Sequence, residues 1–210
     1  MSVKALIPNL LTALRLVLTL LMFAGFVTFA WVQDRGVAVP TQAIFWLLRA
    51  IVICFVVAAV TDFFDGWLAR RWNVESVLGA ILDPIADKIL VCAAALGLIA
   101  IHVQPSVVLP VGLILFREFA VSALREVLAP KGLSLPVTML AKIKTSLQLV
   151  ALGAVMVVWF APALGYVPSL EQFQRLSLGA SGLMWLAALV TLWTGTEYAL
   201  CAHRALKPKV

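Results

Sequence analysis

Asp62-Phe63-Phe64-Asp65-Gly66-Trp67-Leu68-Ala69-Arg70 and, beyond a short gap, Gly79-Ala80-Ile81-Leu82-Asp83-Pro84-Ile85-Ala86-Asp87 form the stretch on which the reading of this chain turns. It interrupts a sequence that is otherwise mostly apolar. Carboxylates are costly near a bilayer and are rarely kept there without a task. Asp62 and Asp65 stand at i, i+3, and Asp83 and Asp87 at i, i+4, so each pair shares one face of a helix. The short link predicts two antiparallel helices whose four acids meet at one depth. Four converging carboxylates describe an oxygen-ligand cage for divalent metal, and Arg70 beside them points to phosphate chemistry.

The surrounding chain sets the class. Of its 210 residues, 63% are hydrophobic and only 12% are charged. That excludes an ordinary soluble domain and a disordered chain. The expectation is one compact integral-membrane domain over residues 1–210, all-α, with a polar active-site cleft near one face. A spanning helix needs about 20 apolar residues. Six such units fit, near Pro8–Trp31, Thr41–Trp72, Glu75–His102, Ser106–Leu128, Val137–Phe160 and Phe173–Ala202. The breaks between them carry turn residues or charge, as in Gln33-Asp34-Arg35-Gly36, Gln104-Pro105 and Pro130-Lys131-Gly132.

Six spans put both termini on one side. Arg35, Arg49 and Arg175 fall on the other side. The remaining Lys and Arg residues fall with the chain ends, although several of them lie inside helices. The positive-inside rule then makes the termini and the acids cytoplasmic, in a bacterial-type inner membrane. Arg15 interrupts the first apolar run, and its length to Trp31 suits a retained helix better than a cleaved leader. Cys54, Cys92 and Cys201 are scattered in apolar helix, and the two histidines, His102 and His203, fall at opposite faces. Neither a disulfide framework nor a His/Cys zinc site is expected, and no nucleic-acid partner is called for. Trp31, Trp46, Trp72, Trp159 and Trp193 read as interface or packing residues.

Small residues accompany the acids. Gly66, Ala69 and Gly79 remove bulk beside the carboxylates, which permits close helix packing or the approach of a ligand such as a nucleotide. Four bare carboxylates would repel one another. Two divalent cations, Mg2+ or Mn2+, would neutralise them and attract a pyrophosphate. A carboxylate not consumed by metal can accept a proton from an attacking hydroxyl. Two other readings exist. The acids could form intramembrane ion pairs with Arg70, Arg71 and Lys88, or line an ion pathway in a transporter. The small-residue stripe and the position near one face favour the enzyme.

The pattern D-x2-D-G-x2-A-R-x8-G-x3-D-x3-D resembles the signature of the CDP-alcohol phosphotransferases at every signature position. Pro8-Asn9-Leu10-x-Thr12-x2-Arg15 is similar to the amino-terminal motif of that family. Arg117-Glu118, Arg125-Glu126, Lys142-x-Lys144-Thr145-x2-Gln148 and Gly195-x-Glu197-Tyr198 resemble the branch whose acceptor is glycerol 3-phosphate. Ala141 departs from it, where glycine is expected. The resemblance implies CDP-diacylglycerol as donor, with its tails left in the lipid bilayer. It implies Asp62, Asp65 and Asp83 as the main metal ligands. Asp87 would be the general base, with metal contact also open to it. Gly66, Ala69, Arg70 and Gly79, together with Asp62, would shape the nucleotide site. The expected products are phosphatidylglycerophosphate and CMP; phosphatidylglycerol, serine or inositol phosphate are alternative acceptors. The family also implies a homodimer, for which the sequence shows no GxxxG motif.

An acceptor that carries phosphate needs cations not paired away by the acids. Arg117, Arg125, Lys142 and Lys144 supply them. Pairing of Arg117 with Glu118 and of Arg125 with Glu126 is the bland alternative, disfavoured because adjacent helix residues do not face each other. Lys142 and Lys144 diverge on a helix, so at most one of them is expected to face the acceptor directly. Asn9, Thr12 and Arg15 share a stripe that could line the cleft or anchor the first helix.

Overall fold

The computed structural model describes residues 3–72, 77–129 and 139–206, except the side chains of 3–6, 8, 63, 65–70, 77–78, 80–81, 139–142 and 205–206. The described residues form six α-helices: α1 (Val3–Arg35), α2 (Thr41–Trp72), α3 (Val77–Ile101), α4 (Pro105–Leu128), α5 (Met139–Trp159) and α6 (Leu170–Leu206). Five contain stretches long and apolar enough to cross a membrane: Asn9–Arg35, Thr41–Asp62, Leu82–Ile101, Pro105–Leu128 and Leu170–Arg204. In α5, Ile143–Trp159 is a shorter apolar helix. Large apolar side chains are exposed on many faces, among them Leu20, Ile53, Phe116, Leu178 and Trp193. Helices apolar on their outer faces need lipid as solvent. The chain is an all-α integral membrane protein.

The chemical breaks in the sequence are where the helices end. Gly36 takes a left-handed conformation after α1, with φ 59°, which glycine adopts without a side-chain penalty. Pro105 stands at the start of α4, behind the extended Gln104. Proline suits that position because its missing N–H would have no helical partner there. The start of α6 lies earlier than the expected Phe173. The Ser169 N–H donates to Gln172 Oε1 at 2.9 Å and the Gln172 N–H to Ser169 Oγ at 3.3 Å. This reciprocal cap satisfies two helix-end donors and carries the helix back over the turn before Phe173.

Two compact units emerge. The first comprises Met1–Val103 and Leu152–Ser177, and the second Gln104–Ala151 and Leu178–Val210. In the first, α1 packs against both α2 and α3. Met22, Phe26, Ile51, Phe55 and Leu98 are buried there, and the rings of Phe26 and Phe160 lie 6.1 Å apart. Gly97 is required for this packing. A Cβ at that position would stand 2.2 Å from the Phe26 ring, far inside contact distance. In the second unit the buried apolar set includes Val107, Val111, Ile114, Val121 and Met184.

α2 is 32 residues long. At about 1.5 Å per residue, Asp62 lies roughly 30 Å along the axis from Thr41, about the thickness of the hydrocarbon core. The stretch of α2 long and apolar enough to cross a membrane thus ends at the first acid, Asp62.

Candidate active site

In the first unit, α2 and α3 deliver the acids and α1 delivers what holds them. Thr12 and Arg15 are one turn apart on α1 and both are buried. The Thr12 hydroxyl donates to Asp83 Oδ1 at 2.7 Å. Arg15 Nη1 lies 2.6 Å from Asp62 Oδ1 and donates to Asp87 Oδ1 at 2.7 Å. One guanidinium nitrogen therefore touches a carboxylate from α2 and another from α3. The two acids can stand no further apart than that shared contact allows. The Arg15 side chain is fully buried, whereas those of Asp62 and Asp87 are 31% and 38% exposed. The cation is inside, and the carboxylates keep an open side.

Gly79 is buried on α3 and Asn9 is half-buried on α1. Asp65, Gly66, Ala69 and Arg70 lie on α2, and their side chains fall outside those described. Ion pairing of the acids does occur through Arg15, a partner not among the Arg70, Arg71 and Lys88 considered from sequence; the side chain of Arg70 lies outside those described. Spacing rules see neighbours along one helix, and Arg15 reaches its partners across helices.

Among the described residues, no group of three or more His, Cys, Asp or Glu side chains is arranged to hold a metal ion. The donor chemistry nonetheless suits one. Asp62 and Asp87 already turn oxygen atoms towards a single cationic centre, Asp83 is one turn from Asp87, and carboxylate oxygens are the ligands hard divalent cations take.

The second unit contains a different polar centre. Arg117 on α4 is buried; its Nη2 donates to Thr194 Oγ1 at 2.9 Å and its Nη1 to Glu118 Oε1 at 3.4 Å. Lys144 on α5, also buried, donates to Glu118 Oε1. Gln148, one turn further along α5, donates to the same Glu118 oxygen at 3.2 Å and to Thr191 at 2.8 Å. Arg125 is exposed, and its Nη2 donates to the Tyr198 hydroxyl at 3.0 Å. Thr191, Thr194 and Tyr198 occupy one stripe of α6. Gly195 makes room in it: a Cβ there would come 2.8 Å from Arg117 Cγ.

Glu118 is the residue that sequence reasoning undervalued. Local pairing with Arg117 was disfavoured because the positions are adjacent, yet the two side chains meet. The reason is length: both reach well past the helix surface before converging. The stronger association of Glu118 is with Lys144, from another helix. Lys144 is thus committed to an internal acid. The side chain of Lys142 lies outside those described. The signal for Glu118 was present in the Lys144-x3-Gln148 spacing, which places two carboxylate partners on one stripe of α5.

Comparison with known proteins agrees with these motifs. The model of the CDP-alcohol phosphatidyltransferase family matches residues 5–193, and the chain belongs to that family. Three relatives each carry the name CDP-diacylglycerol–glycerol-3-phosphate 3-phosphatidyltransferase. The protein of Cereibacter sphaeroides is 37% identical, over 91% of this chain and 93% of its own length. That of Salmonella choleraesuis is 35% identical over 94% of each chain. That of Escherichia coli is 40% identical over 76% of this chain and 81% of its own.

Proposed function

We propose that this member of the CDP-alcohol phosphatidyltransferase family transfers the phosphatidyl group of CDP-diacylglycerol to glycerol 3-phosphate. The products are phosphatidylglycerophosphate and CMP. The observation that carries the reading is the match of nearly the whole chain to relatives of that name. The convergence of Asp62, Asp83 and Asp87 through α1 supports it independently.

The chemistry divides among the residues. Asp62, Asp65 and Asp83 would hold divalent metal, two Mg2+ or Mn2+ ions, which when bound supply positive charge to the pyrophosphate. Gly66, Ala69, Arg70 and Gly79 shape the nucleotide site. Asp87 takes the proton from the acceptor hydroxyl, a role its open side permits. The acceptor oxygen bonds to the phosphorus bearing diacylglycerol. The bond from that phosphorus to the CMP oxygen breaks, and CMP leaves with the electron pair. Arg117, Arg125, Lys142 and Lys144 supply the positive field for the acceptor phosphate. In this set Arg125 is the exposed cation among the described side chains, and Lys144 acts through Glu118.

The Lys and Arg distribution supports cytoplasmic termini and a cytoplasmic active site, and family membership supports a homodimer. Single cysteines at Gly132 and Pro168 test the topology: impermeant reagent should reach only Pro168 from outside the cell. The activity is tested with purified protein, labelled CDP-diacylglycerol and a panel of glycerol 3-phosphate, glycerol, serine, inositol phosphate and phosphatidylglycerol. Labelled phosphatidylglycerophosphate should form, with CMP release dependent on glycerol 3-phosphate. Turnover with another member of the panel alone reassigns the acceptor. Substrate movement across vesicles without CMP sinks the enzyme reading.

A further inference from the structure

The three described cations of the proposed acceptor set are not equivalent. Arg117 and Lys144 are buried, and their donors point at Thr194 and Glu118 inside the protein. Arg125 is exposed. Its Nη2 is held at 3.0 Å by the Tyr198 hydroxyl, and its guanidinium carbon lies 5.0 Å from the centre of the Tyr198 ring. Guanidinium carries five N–H donors, so this contact leaves enough for a two-point grip on a phosphate.

Tyr198 itself is only 4% exposed. Its ring also lies 5.5 Å from the guanidinium carbon of Arg117. A buried phenol in contact with two guanidinium groups is restrained, and it restrains Arg125 through both the hydroxyl and the ring. One turn earlier on α6, Thr194 does the same for Arg117. The stripe of α6 thus offers one polar group to each arginine of α4. A long, exposed arginine otherwise samples many rotamers, and restraining it beforehand lowers the entropy lost when it binds an anion.

We propose that Tyr198 is a positioning residue for Arg125 and thereby sets the affinity for the phosphate of the acceptor. The proposal rests on the acceptor reading above. It places Arg125, rather than Lys144 or Arg117, in direct contact with that phosphate.

The test is steady-state CMP release in detergent micelles by the full-length native enzyme, Arg125→Ala, Tyr198→Phe and the double variant. Each substrate is varied in turn. Phenylalanine keeps the buried ring and removes only the hydroxyl. Arg125→Ala should raise KM for glycerol 3-phosphate about tenfold and Tyr198→Phe about fivefold. KM for CDP-diacylglycerol should hold in both. The double variant should match Arg125→Ala alone, because the hydroxyl acts only through that arginine. A native acceptor KM in Tyr198→Phe overturns the proposal, as do fully additive effects in the double variant. Equal rises in KM for both substrates assign Tyr198 a structural role instead. Native acceptor kinetics in Arg125→Ala itself refutes the acceptor reading, and the Tyr198 proposal with it.

Discussion

The acidic centre of the first unit and the basic centre of the second are built on opposite plans of one kind. Around Arg15, a fully buried cation gathers carboxylates that are about one-third exposed. Around Glu118, a carboxylate only 15% exposed gathers Lys144, Arg117 and Gln148, with Arg125 exposed on the same helix as Glu118. In each, an internal charge organises groups of the opposite sign. The difference is in how deeply the gathered groups lie. The acids stay open on one side, while two of the three described cations are enclosed. Like charges would otherwise repel and splay their helices apart. One internal counter-charge holds them while selected members stay partly exposed.

The plainest way to break the comparison is to remove an outward charge from the acidic centre. Asp62→Asn or Asp83→Asn should cut turnover by about a thousandfold or more while leaving a folded protein, since the amide keeps the shape and loses the anionic ligand. Chelation should do the same to the native enzyme, reversed by Mg2+ or Mn2+. Full activity after thorough chelation removes metal from the account. Asp87→Asn should lower kcat by roughly 10²–10⁴, with a smaller loss of CDP-diacylglycerol affinity than in Asp62→Asn, measured by direct binding. Equal affinity losses would make Asp87 another ligand rather than a base.

The organisers themselves sharpen the contrast. Glu118→Gln leaves the buried Lys144 and Arg117 without their carboxylate, which should cost about 3–5 kcal/mol. Arg15→Gln strands carboxylates that water still reaches, so it should cost less, about 2–3 kcal/mol. Thermal unfolding in detergent ranks the two, and the reverse order undoes the distinction between an open and an enclosed centre. The smallest effect belongs to Gly195→Ala. The added methyl must displace Arg117, at about 1–2 kcal/mol, and an unchanged melting point would show that Arg117 has room to move.

Much of the fold was legible because a bilayer imposes a coarse rule. Runs of apolar residues between Gly36, Pro105 and the other breaks mark the helices directly. The start of α6 is written in Ser169-x-x-Gln172, a cap that the apolar run from Phe173 does not mark. The acids were found by helical spacing, and the structure draws Asp62, Asp83 and Asp87 to one stretch of α1. The organisers were not legible in their roles. Arg15 is 72 residues from Asp87, and Glu118 is 26 from Lys144. No periodicity links such positions; only packing between helices does.

The buried Arg15 has a consequence for the order in which the chain is made. α1 is made before α2 and α3 and must enter the membrane with a charge whose partners, Asp62 and Asp87, follow on those later helices, Asp87 72 residues on. At usual elongation rates that interval lasts several seconds. An unpaired arginine in a lipid-facing helix is unfavourable by about 2.5–3.5 kcal/mol at mid-bilayer, and less near the interface. The final seating of α1 then depends on α2 and α3, which carry the Asp62 and Asp87 carboxylates that Arg15 meets.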